Sequence, residues 1–271
     1  PDALYNLAYC YLNGYGTGQN ADEAAKYFQA ATELGHPDAL DDLAYCYANG
    51  IGLQKDPKAA VLCYKRAAKL NHPSAICNLG SCYRQGFGVF KNERMAFQLY
   101  QRSANLHHPP ALRNLGFCYY KGVGVSRNRR RAFELFEKSS RFGNVLAMCL
   151  LGLCYEKGKG TTKDLPKAFE CFEFGASHGE ECSLFNLARC YEDGRGVPQD
   201  REKAKLIYKQ AADAGHPEAK AKLLRPISSN NSIENKISRL KDLIRPKKER
   251  RIYIKVSELR STAADKDKGV Q

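Results

Sequence analysis

The stretch "LAYCYANGIG", Leu43 to Gly52, sets a cysteine beside a tyrosine and, four residues on, opens a Gly-x-Gly turn. Taken alone, it is compatible with a thiol site, a metal ligand or a loop that cradles phosphate. Its recurrence decides between them. Cys46 returns as Cys10, Cys82, Cys118, Cys154 and Cys190, always at an interval of 36 residues. Tyr47 keeps step as Tyr11, Tyr83, Tyr119, Tyr155 and Tyr191, and Gly50 and Gly52 recur in every unit. Six units lie in register without insertion from Pro1 to His216. A fixed period of this length is the signature of a stacked repeat architecture.

Each unit reads as two helices. In the second, Ala39, Leu43, Ala44, Cys46 and Tyr47 fall on one face at helical spacing. The Gly-x-Gly breaks that helix, because glycine tolerates the positive φ needed just past a helix C-terminus. Six residues beyond the first glycine stands Asn20, Asp56, Asn92, Asn128, Asp164 or Asp200. These are N-cap residues for a second helix. That helix carries its own stripe, from Ala24, Ala60, Ala96, Ala132, Ala168 and Ala204 to an aromatic ring four residues later: Phe28, Tyr64, Tyr100, Phe136, Phe172 and Tyr208. No repeat contains a strand-like alternation. The expected architecture is all-α, with units 1–36, 37–72, 73–108, 109–144, 145–180 and 181–216.

The unit "A-x-x-x-L-A/G-x-C-Y-x-x-G-x-G-x-x-x-D/N-x-x-x-A", closing on "A-A-x-x-G-H-P", resembles the Sel-1-like repeat family, which is related to the tetratricopeptide repeats. The resemblance covers about 216 of the 271 residues. It implies a right-handed α/α superhelical solenoid with a concave, partner-binding surface. Known members serve as adaptors and scaffolds in endoplasmic-reticulum degradation, chitin synthase regulation, signalling and bacterial virulence.

The bland reading of the conspicuous residues is the stronger one. The in-phase cysteines lie on an apolar stripe and are expected to be buried spacers. A cysteine-rich branch of the family ties its two helices together with a disulfide in each repeat. This chain lacks a second cysteine at a fixed position: Cys63 and Cys171 share one place, Cys77 and Cys149 another, and Cys182 stands alone. Disulfides are therefore not expected. A phosphate loop requires a preceding strand, and the Gly-x-Gly follows a helix. His36, His72, His108 and His216 are spaced by whole repeats, which suits capping at the junctions better than convergence on a metal. No catalytic, metal or cofactor site is expected, nor a small-molecule substrate.

The candidate binding residues flank the stripe. Asn6, Asp42, Asn78, Asn114 and Asn186, with Leu150 in the fifth unit, precede the repeated leucine and sit about 100° round the helix from it. In related tetratricopeptide folds such asparagines hydrogen-bond an extended peptide, as an amide offering both donor and acceptor can do. Bonding to the neighbouring repeat is the alternative. Three residues on come Tyr9, Tyr45, Ser81, Phe117, Leu153 and Arg189, where exposed aromatics would favour recognition and inter-repeat packing is the rival. Arg127, Arg129, Arg130 and Arg131 form a basic loop that could meet an acidic partner or simply be solvated.

The chain opens at a repeat boundary, and further repeats are expected before Pro1, since solenoids need capped ends. At the other end, residues 217–226 are expected to supply a capping helix, with Ala219 and Leu223 in register. Residues 227–271 form a basic tail with an amphipathic helix at about 232–245. From Arg225 onward there are 13 Lys/Arg and 6 Asp/Glu, half of the chain's formal charge of +14. Lys247, Lys248, Arg250 and Arg251 make its densest cluster, a candidate contact for an acidic or RNA partner. No apolar run approaches the ~18 residues of a membrane span. Eleven cysteines is an odd number, which favours a reducing compartment such as the cytoplasm, with an organelle open if a targeting segment precedes Pro1. The leading functional expectation is a non-enzymatic scaffold that binds a peptide or protein surface in the groove. The alternative is a structural subunit of a ribonucleoprotein or other large assembly, anchored through the basic loop and tail.

Overall fold

The computed structural model describes residues 1–223, and every regular element among them is an α-helix. The six helix pairs are α1 (Asp2–Asn13) with α2 (Ala21–Glu33), α3 (Pro37–Asn49) with α4 (Pro57–Lys69), α5 (Pro73–Gln85) with α6 (Glu93–Asn105), α7 (Pro109–Lys121) with α8 (Arg129–Arg141), α9 (Val145–Lys157) with α10 (Leu165–Ser177), and α11 (Glu181–Asp193) with α12 (Arg201–Asp213). A short α13 (Pro217–Leu223) packs on α12. The tail's amphipathic helix and Lys247, Lys248, Arg250 and Arg251 lie outside the described residues.

The capping chemistry places the helix starts. Asn20, Asp56, Asn92, Asn128, Asp164 and Asp200 each accept a hydrogen bond from a backbone N–H in the first turn of the helix that follows. Their own N–H groups donate to the carbonyl of the repeated tyrosine, as Asp56 does to Tyr47 at 2.9 Å. That bond closes the loop between the two helices. His36, His72 and His216 cap the first helix of the next unit, with Nδ1 accepting from Ala39, Ala75 and Ala219.

The opening stretch is resolved in the same terms. Cys46 is 1% exposed, and its carbonyl accepts from both Gly50 and Ile51 at the end of α3. Burial pushes the Cys46 thiol up to about 12, with the nearby Asp42 charge adding to it. Gly52 has two reasons to be glycine. Its φ is +63, and a Cβ there would stand 1.9 Å from the Ala21 carbonyl oxygen of the preceding unit. The second glycine is thus the point where one repeat's loop seats on the first turn of the previous repeat's second helix.

The core divides along the stack into four clusters, each spanning neighbouring helix pairs. Phe28, Tyr64, Tyr100, Phe136 and Phe172 are among its largest buried side chains, and Tyr100, Phe136 and Phe172 are set closely against Gly80, Gly116 and Gly152 of the facing helix. First helices of successive units also touch, α5 with α7 and α9 with α11.

The structure corrects one expectation. Cys149 of α9 and Cys182 of α11 form a disulfide, with Cα atoms 6.2 Å apart. The bond joins adjacent units, so a search for a cysteine pair repeated within each unit misses it. The other nine cysteines are thiols, all buried except the half-buried Cys10.

Candidate functional site

The first-helix face carries the residues singled out from the pattern, and hydrogen bonds between successive units organise it. Tyr5 donates to Asp42 Oδ2 at 2.9 Å, and Asn78 Nδ2 donates to Asp41 Oδ1 at 3.1 Å. Asn114 Nδ2 reaches Cys77 Sγ at 3.4 Å, and Asn186 Nδ2 reaches Cys149 Sγ at 3.6 Å. Each of these pairs is 37 residues apart, one repeat plus one residue. The amide N–H groups of Asn78, Asn114 and Asn186 are thus turned to the preceding unit. Asn186 is itself buried, and its Oδ1 accepts from Arg189. Asn6 is exposed.

The row three residues on keeps its surface. Tyr9, Tyr45, Ser81, Phe117, Leu153 and Arg189 are all half-buried. The Arg84 guanidinium lies 6.0 Å from the centre of the Phe117 ring, and Tyr5 and Tyr9 are 5.8 Å apart. Side chains that rest on a scaffold while offering an edge to solvent make rigid contact points for a partner.

The face is electrostatically uneven. Asp38, Asp41 and Asp42 gather between the second and third units. Burial raises the Asp42 carboxyl to about 7, and the neighbouring Asp41 charge adds to it. Burial also raises Asp41, against the opposing pull of His72. His72 Nε2 lies 2.8 Å from Asp38 Oδ1, and its Nδ1 is 4.0 Å from Asp41 Oδ2. Burial works against a charged His72, yet the hydrogen bond to Asp38 and the Asp41 charge raise it on balance. Between the fifth and sixth units the character reverses. Glu156, 9% exposed, pairs with Arg195 at 2.7 Å and Arg189 at 3.7 Å.

Three further features were invisible in the repeat pattern. Cys149, Cys182 and Glu180 bring potential metal-ligand atoms within 4.8 Å of one another. Here the two sulfurs are bonded, and Glu180 caps α11 by accepting from Cys182 and Ser183 N–H. Arg84 reaches the Tyr100 hydroxyl, and Lys222 of α13 reaches the Tyr208 hydroxyl and the Glu192 carboxylate. Arg127, Arg129, Arg130 and Arg131 are exposed. Arg130 and Arg131 engage Glu134, at 3.5 and 3.2 Å.

The Sel1 repeat family model matches residues 1–36, 37–72, 73–108, 109–144, 145–180 and 183–216. Among solved structures, a protective antigen of uropathogenic Escherichia coli strains with an SLR fold is 30% identical. It superposes with a TM-score of 0.68 over 80% of this chain and 47% of its own, so this chain spans about half of that antigen's length. A Sel1 repeat protein from Oxalobacter formigenes is 31% identical, with a TM-score of 0.62 over 73% of this chain and 84% of that one. The immunity protein Pa5087 from Pseudomonas aeruginosa is 25% identical, with a TM-score of 0.55 over 79% and 81%. No curated protein matches the chain.

Proposed function

The chain belongs to the Sel1 repeat family, and from that premise we propose that it is a non-enzymatic scaffold that holds a peptide or protein segment along its first-helix face. Proteins built from these repeats generally act as protein–protein interaction scaffolds. The observation that carries the reading to this face is the half-buried row from Tyr9 to Arg189. The alanine or glycine and the cysteine on either side of it repeat from unit to unit, whereas the row itself varies along the chain. It presents aromatic rings in units one, two and four, serine in three, leucine in five and arginine in six. A surface of this kind can read a sequence one side chain per repeat.

Tyr9, Tyr45 and Phe117 are the anchors in this reading, and Asp42, Asn78 and Asn114 hold the helices in register beneath them. With their N–H groups turned to the preceding unit, the asparagines offer a partner mainly their carbonyl oxygens. Exposed Arg127 and Arg129 add a separate contact for an acidic partner.

The test is a selection of 12-residue peptides from a random display library on the intact chain, followed by resynthesis and affinity measurement. Tyr45→Ala with Phe117→Ala should weaken the recovered peptides by at least about 10-fold, the loss of one modest anchor. The melting transition should survive, because both rings are half-exposed. Asn78→Ala with Asn114→Ala should weaken binding less. Unchanged affinity in the aromatic variant would remove the row from the binding surface.

A further inference from the structure

Cys149 and Cys182 tie the fifth unit to the sixth, and their surroundings hold more than a disulfide needs. Glu180 brings a carboxylate oxygen within 4.8 Å of both sulfurs. Asn186 Nδ2 lies 3.6 Å from Cys149 Sγ and 3.5 Å from Cys182 Sγ, and it donates to the Cys182 carbonyl at 2.8 Å. Asn186 Oδ1 accepts from Arg189 at 3.0 Å, which polarises the amide toward the sulfurs. Cys149 and Asn186 are buried, whereas Cys182 and Glu180 are half-buried and give the cluster a side toward solvent.

The repeats supply internal controls. The same four places hold Cys77, His108, Pro110 and Asn114 two units earlier, and Asp41, His72, Ser74 and Asn78 one unit before that. The amide turned to the preceding unit is common to all three junctions, reaching Cys77 Sγ at 3.4 Å and Asp41 Oδ1 at 3.1 Å in the other two. The carboxylate is not common. Elsewhere the place of Glu180 is filled by His36, His72, His108, Asn144 or His216. Histidine and asparagine cap the following helix too, with His36, His72 and Asn144 each accepting from a first-turn N–H. Capping alone therefore does not account for Glu180. Among the described residues, its carboxylate stands at the one junction that pairs two cysteines.

We propose that, once the disulfide is reduced, Cys149, Cys182 and Glu180 bind a zinc ion, which then holds the junction in place of the bond. A dithiol reductant opens the bond by exchange. One of its sulfurs displaces a protein sulfur, the other closes a cyclic disulfide, and two protein thiols remain. Zinc replaces the two thiol protons, which pass to solvent. Two thiolates and a carboxylate suit this borderline-soft cation, and a water completes the tetrahedron. Ligands about 2.0–2.3 Å from a tetrahedral zinc ion stand roughly 3.3–3.8 Å from one another. Atoms already within 4.8 Å reach those places by side-chain rotation.

The neighbours fit the charged ligands. Cys182 lies in the first turn of α11, where the helix N-terminus favours a thiolate. The Asn186 amide supports both sulfurs from outside the ligand set, as ligating groups need. Glu180 keeps its cap while it ligates, since a carboxylate offers about four lone-pair sites and the N–H groups of Cys182 and Ser183 take only part of them.

The experiment reduces the intact chain with a phosphine, removes the reductant, and titrates the protein anaerobically with Co2+ and then Zn2+. Cobalt should give a thiolate-to-metal charge-transfer band and the visible bands of a tetrahedral ion, and one equivalent of zinc should abolish both. The oxidised chain should show neither. Zinc should raise the urea midpoint of the reduced chain and leave that of the oxidised chain unchanged. Cys182→Ala should abolish the cobalt bands. Glu180→Gln, which still carries an oxygen to cap α11, should weaken zinc at least about 10-fold. Circular dichroism checks that both variants fold, and Cys77→Ala, the matching cysteine of the third unit, should leave the spectrum unchanged. A reduced chain without the charge-transfer band overturns the site. So do bands that survive Cys182→Ala or appear equally in the oxidised chain, because the metal then sits on other groups. Zinc affinity unchanged in Glu180→Gln overturns the three-ligand set.

Discussion

The seating of each loop on the previous repeat can be measured with two alanines. Gly124, in the loop after α7, has φ +69, and a Cβ there would stand 2.1 Å from the Glu93 carbonyl oxygen and 2.6 Å from its carbon. Those are backbone atoms at the start of α6 and cannot swing aside. Gly16, the equivalent residue of the first unit, has φ +68 and nothing within 4 Å of its would-be Cβ. Gly16→Ala therefore meets only the left-handed backbone penalty, about 1–2 kcal/mol. Gly124→Ala meets the same penalty and must also push the third and fourth units apart, an overpacking cost of about 1–3 kcal/mol more. The expected totals are about 1–2 kcal/mol for Gly16→Ala and about 2–5 kcal/mol for Gly124→Ala. Urea denaturation followed by circular dichroism measures both. In a nearest-neighbour array the Gly124 variant should also broaden the transition, as the two sides of the weakened junction unfold less cooperatively. Equal losses from the two substitutions would refute the inter-repeat contact as the source of the difference.

Two further outcomes follow from the electrostatics and the cysteines. Asp42 is an acid whose folded pKa, about 7, lies above its ordinary value of 3.8, so the unfolded chain gives up that proton first and stability falls as pH rises from about 4 to 7. Asp42→Asn removes this dependence while keeping an oxygen to accept from Tyr5. The variant should match the parent near pH 4 and exceed it at pH 8. Full burial would make the gain about 4 kcal/mol, and the partial exposure of Asp42 reduces it to about 1–2 kcal/mol; His72 titrates in both proteins, and an advantage of the Asn variant over the parent that is no larger at pH 8 than at pH 4 would contradict the raised carboxyl. For the cysteines, thiol titration in denaturant should find nine reactive groups without reductant and eleven after reduction. Closing the chain between Cys149 and Cys182 should contribute roughly 3–4 kcal/mol on the loop-entropy model, seen as a lower urea midpoint for the reduced protein.

Much of the fold could be read from the sequence because its determinants are local. Asn20, Asp56 and their equivalents cap helices through bonds to residues two or three positions on, and Gly50 ends a helix through its own φ. The cysteine of "LAYCYANGIG" falls on an apolar stripe that needs only helical spacing to be seen. The contacts that give the first-helix face its character are non-local. They run 37 residues, as from Asn78 to Asp41, or 33, as from Cys149 to Cys182. A search for equivalents within each unit compares positions 36 apart and passes over both offsets. The asparagine row was visible as a row, but the direction of its amides depends on what the preceding unit offers: a carboxylate at Asp41, a thiol at Cys77, a bonded sulfur at Cys149. The buried Tyr64 hydroxyl makes no hydrogen bond, whereas Tyr100 and Tyr208 bond Arg84 and Glu192, which stand where the second unit has Ala48. Comparing Ala48 with Arg84 and Glu192 across units is the signal that would have exposed it.

The most direct test of the claim that the first-helix face is the binding surface is amide hydrogen exchange on the intact chain, with and without a saturating selected peptide. Binding along that face predicts slowed exchange in α1, α3, α5 and α7, strongest around Asp42 to Tyr45 and Asn114 to Phe117, with α4, α6 and α8 little changed. Protection confined to the second helices or to the Arg127–Arg131 loop would contradict it.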